Sequence, residues 1–263
     1  MFPEIRSVAV DNAELKYFSF GSGPKPMVII PGVSIQSVML SAGAIAEAYK
    51  RFAEDFTVYV LDRRQPAPKG TTVSDMAADA ALVLKTAGVK DACVLGVSQG
   101  GMIGLTLAAD FPELVSRLAV AASSCTITPS YREIFDKAVS LARQGRSREL
   151  NLMFAEAIYT PALFEKFKNI FAEASEAITP EDLTRFENIS AAPVDVDFTE
   201  KLANISCPAF VAVGSEDKIF GTGPSEFIAR QLGCRLKIYE GFGHAVYDES
   251  EELKADEYEF FVS

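Results

Sequence analysis

Residues able to carry acyl-transfer chemistry stand at three separated points of this chain. Ser98 lies in Gly96-Val97-Ser98-Gln99-Gly100, and His244, in YEGFGHAVYDES, is the single histidine. Asp217 follows an apolar run in VAVGSEDKIF, with Glu216 as its neighbour and rival. A serine hydroxyl is a poor nucleophile at neutral pH until a base takes its proton, and imidazole is the usual base. A carboxylate behind the imidazole fixes the tautomer and stabilises the cation that forms. Glycines on both sides of a serine suit a sharp strand-to-helix turn that has no room for side chains and pushes the hydroxyl outward. The pattern alone is a weak signal, because a glycine-rich turn can also hold a purely structural serine.

Those residues need elements to bring them together. Short apolar runs recur at 27–30 (MVII), 58–61 (VYVL), 92–97 (ACVLGV), 118–122 (LAVAA), 209–213 (AFVAV) and 235–239 (RLKIY). Continuous rather than alternating apolarity marks strands buried on both faces, and so a mostly parallel sheet covered by helices. Ahead of them, EIRSVAV and ELKYFSF alternate with period two around Asp11-Asn12 and read as an edge hairpin. Helices are expected at 74–88, with Ser74 as cap and Gly88 as stop, and at 99–110, 224–232 and 249–261. Ser98 then sits where a buried strand turns into a helix, while Asp217 and His244 follow the last two strands. Loops at one edge of a parallel sheet converge, so the three can meet in space.

Residues 128–203 interrupt the rhythm. Thr160-Pro161 and Thr179-Pro180 each put a capping hydroxyl before a proline suited to a first helical turn, and YREIFDKAVSLARQ carries Ile134, Phe135, Ala138, Leu141 and Ala142 at helical spacing. The stretch reads as a helical insertion between two strands, dividing a core domain (1–127 and 204–263) from a cap (128–203). Its Met153, Phe154, Tyr159, Phe164, Phe167 and Phe171 either pack the insertion internally or line a pocket.

With these features in place, the chain resembles the α/β-hydrolase fold superfamily over nearly its whole length. GVSQGGMIGLTLAADFPELVSRLAVAAS and VYVLDRRQPAPKGTTVSDMAADA are similar to the corresponding segments of small bacterial serine hydrolases of the esterase and enol-lactonase type. The resemblance implies an α/β fold with a helical cap, a Ser98–Asp217–His244 triad and no cofactor or metal. The family's alternative position for the acid, after the sixth strand, holds AASSCTI and no carboxylate, which favours Asp217. It also implies an oxyanion hole made by the backbone N–H of Gln99 and by one from IIPGVSIQS, where Val33 is the first candidate and Ser34 the next. Many relatives have His-Gly where this chain has Pro31-Gly32.

The implied reaction is two-step hydrolysis of a small, apolar ester or lactone. The same triad on similar folds supports carbon–carbon bond hydrolysis, menaquinone-pathway lyase chemistry, proline iminopeptidase activity, perhydrolysis and acyl transfer, and an idle triad can persist in a ligand-binding protein. Dehalogenase and epoxide hydrolase chemistry is disfavoured, since Ser98 stands where those families use aspartate.

The chain of 263 residues is 49% hydrophobic, 23% charged and carries a formal net charge of −11. That acidity argues against a nucleic-acid partner, which needs a basic stripe to displace counterions. Arg143, Arg146 and Arg148 read as a solvated helix face. The four cysteines have neither zinc-ligand spacing nor a framework pattern and are expected as reduced thiols of a cytoplasmic protein. No apolar run approaches a membrane span, and MFPEIRSVAV lacks an export pattern. A small-molecule substrate is the expected partner, with monomer and homodimer both open. The sequons at Asn188 and Asn204 carry no expected role.

Overall fold

A computed structural model describes residues 3–193 and 196–263, so residues 194 and 195 of the expected insertion and the first two residues lie outside the described residues. The chain opens with the expected hairpin, β1 (Ile5–Val10) and β2 (Ala13–Phe20), closed through Asp11 at φ 49°. It continues through β3 (Lys25–Ile30), α1 (Ala42–Ala48), β4 (Phe56–Gln65), α2 (Val73–Thr86), β5 (Ala92–Val97), α3 (Gln99–Asp110) and β6 (Val115–Ala121). Four consecutive helices follow: α4 (Pro129–Arg143), α5 (Ser147–Ile158), α6 (Pro161–Ala174) and α7 (Pro180–Ser190). The chain then returns through β7 (Ala209–Gly214), α8 (Gly223–Leu232), β8 (Arg235–Tyr239), α9 (Val246–Glu249) and α10 (Glu251–Val262).

One sheet results, in the order β1-β2-β4-β3-β5-β6-β7-β8. The hairpin joins it antiparallel to β4, and every later pair is parallel. This is the doubly wound α/β architecture that the buried runs predict. Alternate strand residues feed two cores: Val28, Ile30, Val94 and Val120 pack toward α2, α3 and α8, while Met27, Ile29, Leu95 and Val97 pack with residues of α1 and α10. β4 and β5 lie on opposite sides of β3, so the chain reverses its direction of travel there and opens a crevice at the carboxyl ends of β3 and β5.

Several local expectations need correction. α2 is capped by Thr72, not Ser74: the Thr72 hydroxyl accepts from the Asp75 N–H while the Asp75 carboxylate accepts from the Thr72 N–H, a reciprocal box that fixes the start two residues earlier. The expected helix 249–261 is α10, which starts two residues later because Ser250 turns extended and caps it, and the short α9 just before it is not anticipated. Helix α1 is not anticipated, since AGAIAEA has too few apolar residues to show a period. Pro161 and Pro180 do open α6 and α7, and the Thr179 hydroxyl caps α7, but the Thr160 hydroxyl instead donates to Glu249. Among the described residues no helix is long and apolar enough to cross a membrane.

Candidate active site

Ser98 occupies the single-residue joint between β5 and α3, with φ 54° and ψ −122°. A non-glycine residue in this region costs on the order of 1–3 kcal/mol and persists only when its surroundings hold it. Here the Ser98 N–H donates to the Ala121 carbonyl at 2.9 Å, and the Ser98 carbonyl accepts from the Ser123 hydroxyl at 2.6 Å and the Gly101 N–H at 2.9 Å. The flanking glycines have a steric cause. A Cβ on Gly100 would stand 1.8 Å from the Ile30 carbonyl oxygen, and one on Gly96 would stand 2.5 Å from that of Gly100.

The loops after β7 and β8 bring the partners in. His244 Nε2 lies 2.9 Å from Ser98 Oγ, and its Nδ1 lies 2.9 Å from Asp217 Oδ2. All three residues are buried, His244 at 2% exposure. Asp217 Oδ1 accepts from the N–H groups of Ile219 and Phe220 at 2.8 and 3.1 Å, so both carboxylate oxygens are engaged. Burial alone would push the Asp217 carboxyl upward, but the imidazole and the two N–H donors outweigh it and hold it below the usual range. An ionised carboxylate only accepts, so Nδ1 carries the imidazole proton and Nε2 is left to accept the serine proton. Glu216 is exposed and its side chain takes no part. The structure therefore brings together the three residues singled out in the sequence, with Asp217 rather than Glu216 behind the imidazole.

The two amide candidates stand on either side of Ser98. Gln99 is the first residue of α3, a position whose N–H has no partner inside the helix. Val33 follows Gly32, which abuts the serine so closely that a Cβ there would come 3.1 Å from Ser98 Cβ. A cavity of about 230 Å³, with Gly32, Val97, Tyr49 and Tyr247 in its lining, flanks the serine on the α1 side.

Sequence reasoning missed a charged cluster beneath these amides. Arg63, at the end of β4, donates from Nη2 to the Pro31 carbonyl at 2.6 Å and from Nε to Gln99 Oε1 at 3.3 Å. Asp62 accepts from the Ser37 hydroxyl at 2.5 Å, from the Arg63 N–H and from Arg185 of α7. The signal was the run Asp62-Arg63-Arg64 directly after the apolar residues 58–61 of β4, where three charges in a row are costly unless paired. Only Arg64 faces the outer rim, forked onto Asp79 at 2.7 Å through Nε and Nη2.

Three of the inserted helices, α4, α5 and α7, touch the loops that carry the three residues. Gln99 Nε2 donates to the Ile189 carbonyl of α7 at 2.7 Å; the Thr128 and Ser130 hydroxyls donate to the Ile219 carbonyl in the acid loop; the Ala245 N–H donates to the Ile158 carbonyl at 2.8 Å. Rings run from His244 to Phe220 (5.7 Å) and on to Tyr131 (5.2 Å) and Phe135 (4.1 Å). Of the insertion's aromatics, Phe154 packs inside it between Phe135 and Phe186, and Tyr159, Phe164 and Phe171 stack on one another.

Comparison with known proteins agrees with this arrangement of strands and loops. A family model described as alpha/beta hydrolase fold matches residues 25–251. The chain belongs to that family. Among its relatives, a Cronobacter sakazakii protein bearing the name of a carbamate hydrolase, RutD, is 24% identical over 229 residues, covering 82% of this chain and 85% of its own. The 3-oxoadipate enol-lactonase 2 of Acinetobacter baylyi is 21% identical over 231 residues, covering 86% and 84%. The crystal structure of MGS-M2, an alpha/beta hydrolase from a Medee basin deep-sea metagenome library, superposes with a TM-score of 0.87 over 98% of both chains at 20% identity. The last likeness concerns the fold; the differing activities in the relatives' names belong to those proteins.

Proposed function

We propose that this protein is a serine hydrolase that cleaves a small carboxylic ester or lactone through an acyl-enzyme. The observation that carries this reading is the unbroken chain Ser98 Oγ, His244 Nε2, His244 Nδ1, Asp217 Oδ2, with both gaps at 2.9 Å. His244 takes the Ser98 proton as the oxygen attacks the carbonyl carbon, and the tetrahedral oxyanion is received by the N–H groups of Val33 and Gln99. As the intermediate collapses, His244 passes the proton to the leaving alcohol. A water, deprotonated by the same imidazole, then attacks the acyl-enzyme and releases the acid.

None of these steps calls for a metal or organic cofactor. Residues 128–203 serve as the cap that selects the substrate, resting on the loops of all three triad members. Four unpaired thiols fit a reducing cytoplasm. The test is turnover of short p-nitrophenyl esters by wild type and by Ser98→Ala. A loss of kcat of roughly 10⁴-fold or more is expected, the scale on which a serine nucleophile acts. Equal turnover by the two proteins would end the proposal.

A further inference from the structure

The insertion carries a buried cation, paired to one carboxylate, that leaves two of its donor nitrogens without a partner. Arg185 of α7 has a side chain 3% exposed; its Nη2 donates to Asp62, and its Nε and Nη1, both buried, have no partner. Arg63, equally buried, spends its donors on the neutral oxygens of Pro31 and Gln99. Asp62 is thus the one carboxylate bonded in this cluster while two guanidiniums face it. Asp79 is held by Arg64, Asp182 receives the capping N–H of Thr179, and Glu181 is exposed. A buried positive charge without a counterion is costly, and an orphaned buried donor calls for a partner.

The place of this charge is defined by the fold. Arg185 and Ile189 are four apart on α7 and so share a face, and the Ile189 carbonyl is the one that holds the side chain of Gln99, next to Ser98. Ser190 Oγ, beside that carbonyl, is likewise buried and unpartnered. A crevice of about 390 Å³ between residues 65–67 and the first turn of α7 has Arg185 in its lining. In strand order Arg63 lies on β4, on one side of β5, and Arg185 is bonded to Asp62 of that same strand, whereas Asp217 and His244 follow β7 and β8 on the other side. A leaving group must lie against His244 to be protonated, so a group reaching Arg185 belongs to the acyl part.

We infer that the acyl part of the substrate carries a carboxylate and that Arg185 binds it. This rests on the serine hydrolase reading and narrows it from an apolar ester to an anionic one. The surplus positive charge of the Asp62, Arg63 and Arg185 cluster, which reaches the residue after Ser98 through Gln99, is then neutralised when substrate is bound, and a neutral acyl chain leaves it in place. The long-range field of an acidic surface is screened within about 8 Å at physiological salt, so a buried arginine decides the local preference.

The experiment compares mono-(p-nitrophenyl) adipate with methyl p-nitrophenyl adipate, which differ only at the distal end, a carboxylate against its methyl ester, after subtraction of spontaneous hydrolysis. Wild type should favour the free acid by about tenfold or more in kcat/KM, as expected of a charge-assisted contact. Arg185→Gln should bring that ratio to about one, and Arg185→Lys should keep part of it. Should Arg185→Gln fail to fold, free adipate is tested on wild type, where it should inhibit methyl-ester hydrolysis competitively and adipamide should not. A wild-type ratio of one or below, an unchanged ratio in a folded Arg185→Gln, or non-competitive inhibition by adipate overturns the inference while leaving the hydrolase intact. Failure to hydrolyse either ester, with Ser98 inert to a fluorophosphonate, removes the hydrolase reading and this one with it.

Discussion

His244 serves as a base only if its two nitrogens are kept distinct, and its neighbours do this through position more than strength. Asp217 is fixed by two backbone N–H donors before it meets the imidazole, so its orientation does not depend on the histidine. The proposed oxyanion donors have a comparable support in Arg63, which grips the Pro31 carbonyl and the Gln99 side chain and so joins the two loops that flank Ser98. Burial lowers the Arg63 guanidinium to about 10, with Asp62 opposing and Arg185 adding to that shift, and it stays charged at neutral pH. Arg63→Met should therefore lower kcat on a neutral ester by roughly 10- to 100-fold, somewhat less than deletion of an oxyanion donor, with a smaller change in KM. Steady-state kinetics decide this: a loss confined to KM would mean that Arg63 shapes binding and not the oxyanion hole.

At the scale of elements, the elbow is the least tolerant part of the molecule. Gly100→Ala places a methyl group 1.8 Å from the Ile30 carbonyl oxygen, an atom fixed in the central strand β3. Relief requires α3 to move off the sheet, so we expect destabilisation of roughly 3 kcal/mol or more, read as a fall in the denaturant midpoint. A fully stable Gly100→Ala would contradict the close approach. The same elements show what the sequence made legible. The apolar runs located all six parallel strands, although β8, at the sheet edge, is only half-buried and its RLKIY is not continuously apolar, and Gly-x-Ser-x-Gly reports a steric need at one joint. The meeting of Ser98, Asp217 and His244 followed from the convergence of strand-end loops at one edge of a parallel sheet, whereas the order of strands in space is visible only in the fold. Arg185 stayed hidden because its pairing with Asp62 joins β4 to a helix 123 residues later, and Arg63 because its acceptors, Pro31 and Gln99, lie in two other loops; such contacts leave no periodic trace. Thr160 was misread because its hydroxyl had a tertiary acceptor, Glu249, that local capping rules do not consider.

For the whole molecule, one buried charge stands outside the site and sets a pH dependence of stability. Glu257 of α10 is 1% exposed with neither carboxylate oxygen hydrogen-bonded, and burial raises it from 4.5 to about 8, Lys254 opposing and Asp256 adding to the shift. The folded protein holds a proton between these values that the unfolded chain releases, so stability falls as pH rises from 4.5 to 8 and levels off above. The loss is on the order of 3–5 kcal/mol for a shift of this size. Glu257→Met should remove that slope, so its melting temperature should gain on wild type progressively from pH 5 to pH 8; a gain independent of pH would show that Glu257 does not carry the proton. The central claim for the molecule is that its fold exists to activate one hydroxyl. It is tested most directly by treating wild type with a fluorophosphonate and mapping the adduct by mass spectrometry. The account predicts a single phosphonylated residue, Ser98, with labelling abolished in His244→Ala. An unlabelled Ser98 in the folded wild-type protein, or undiminished labelling without His244, would contradict it.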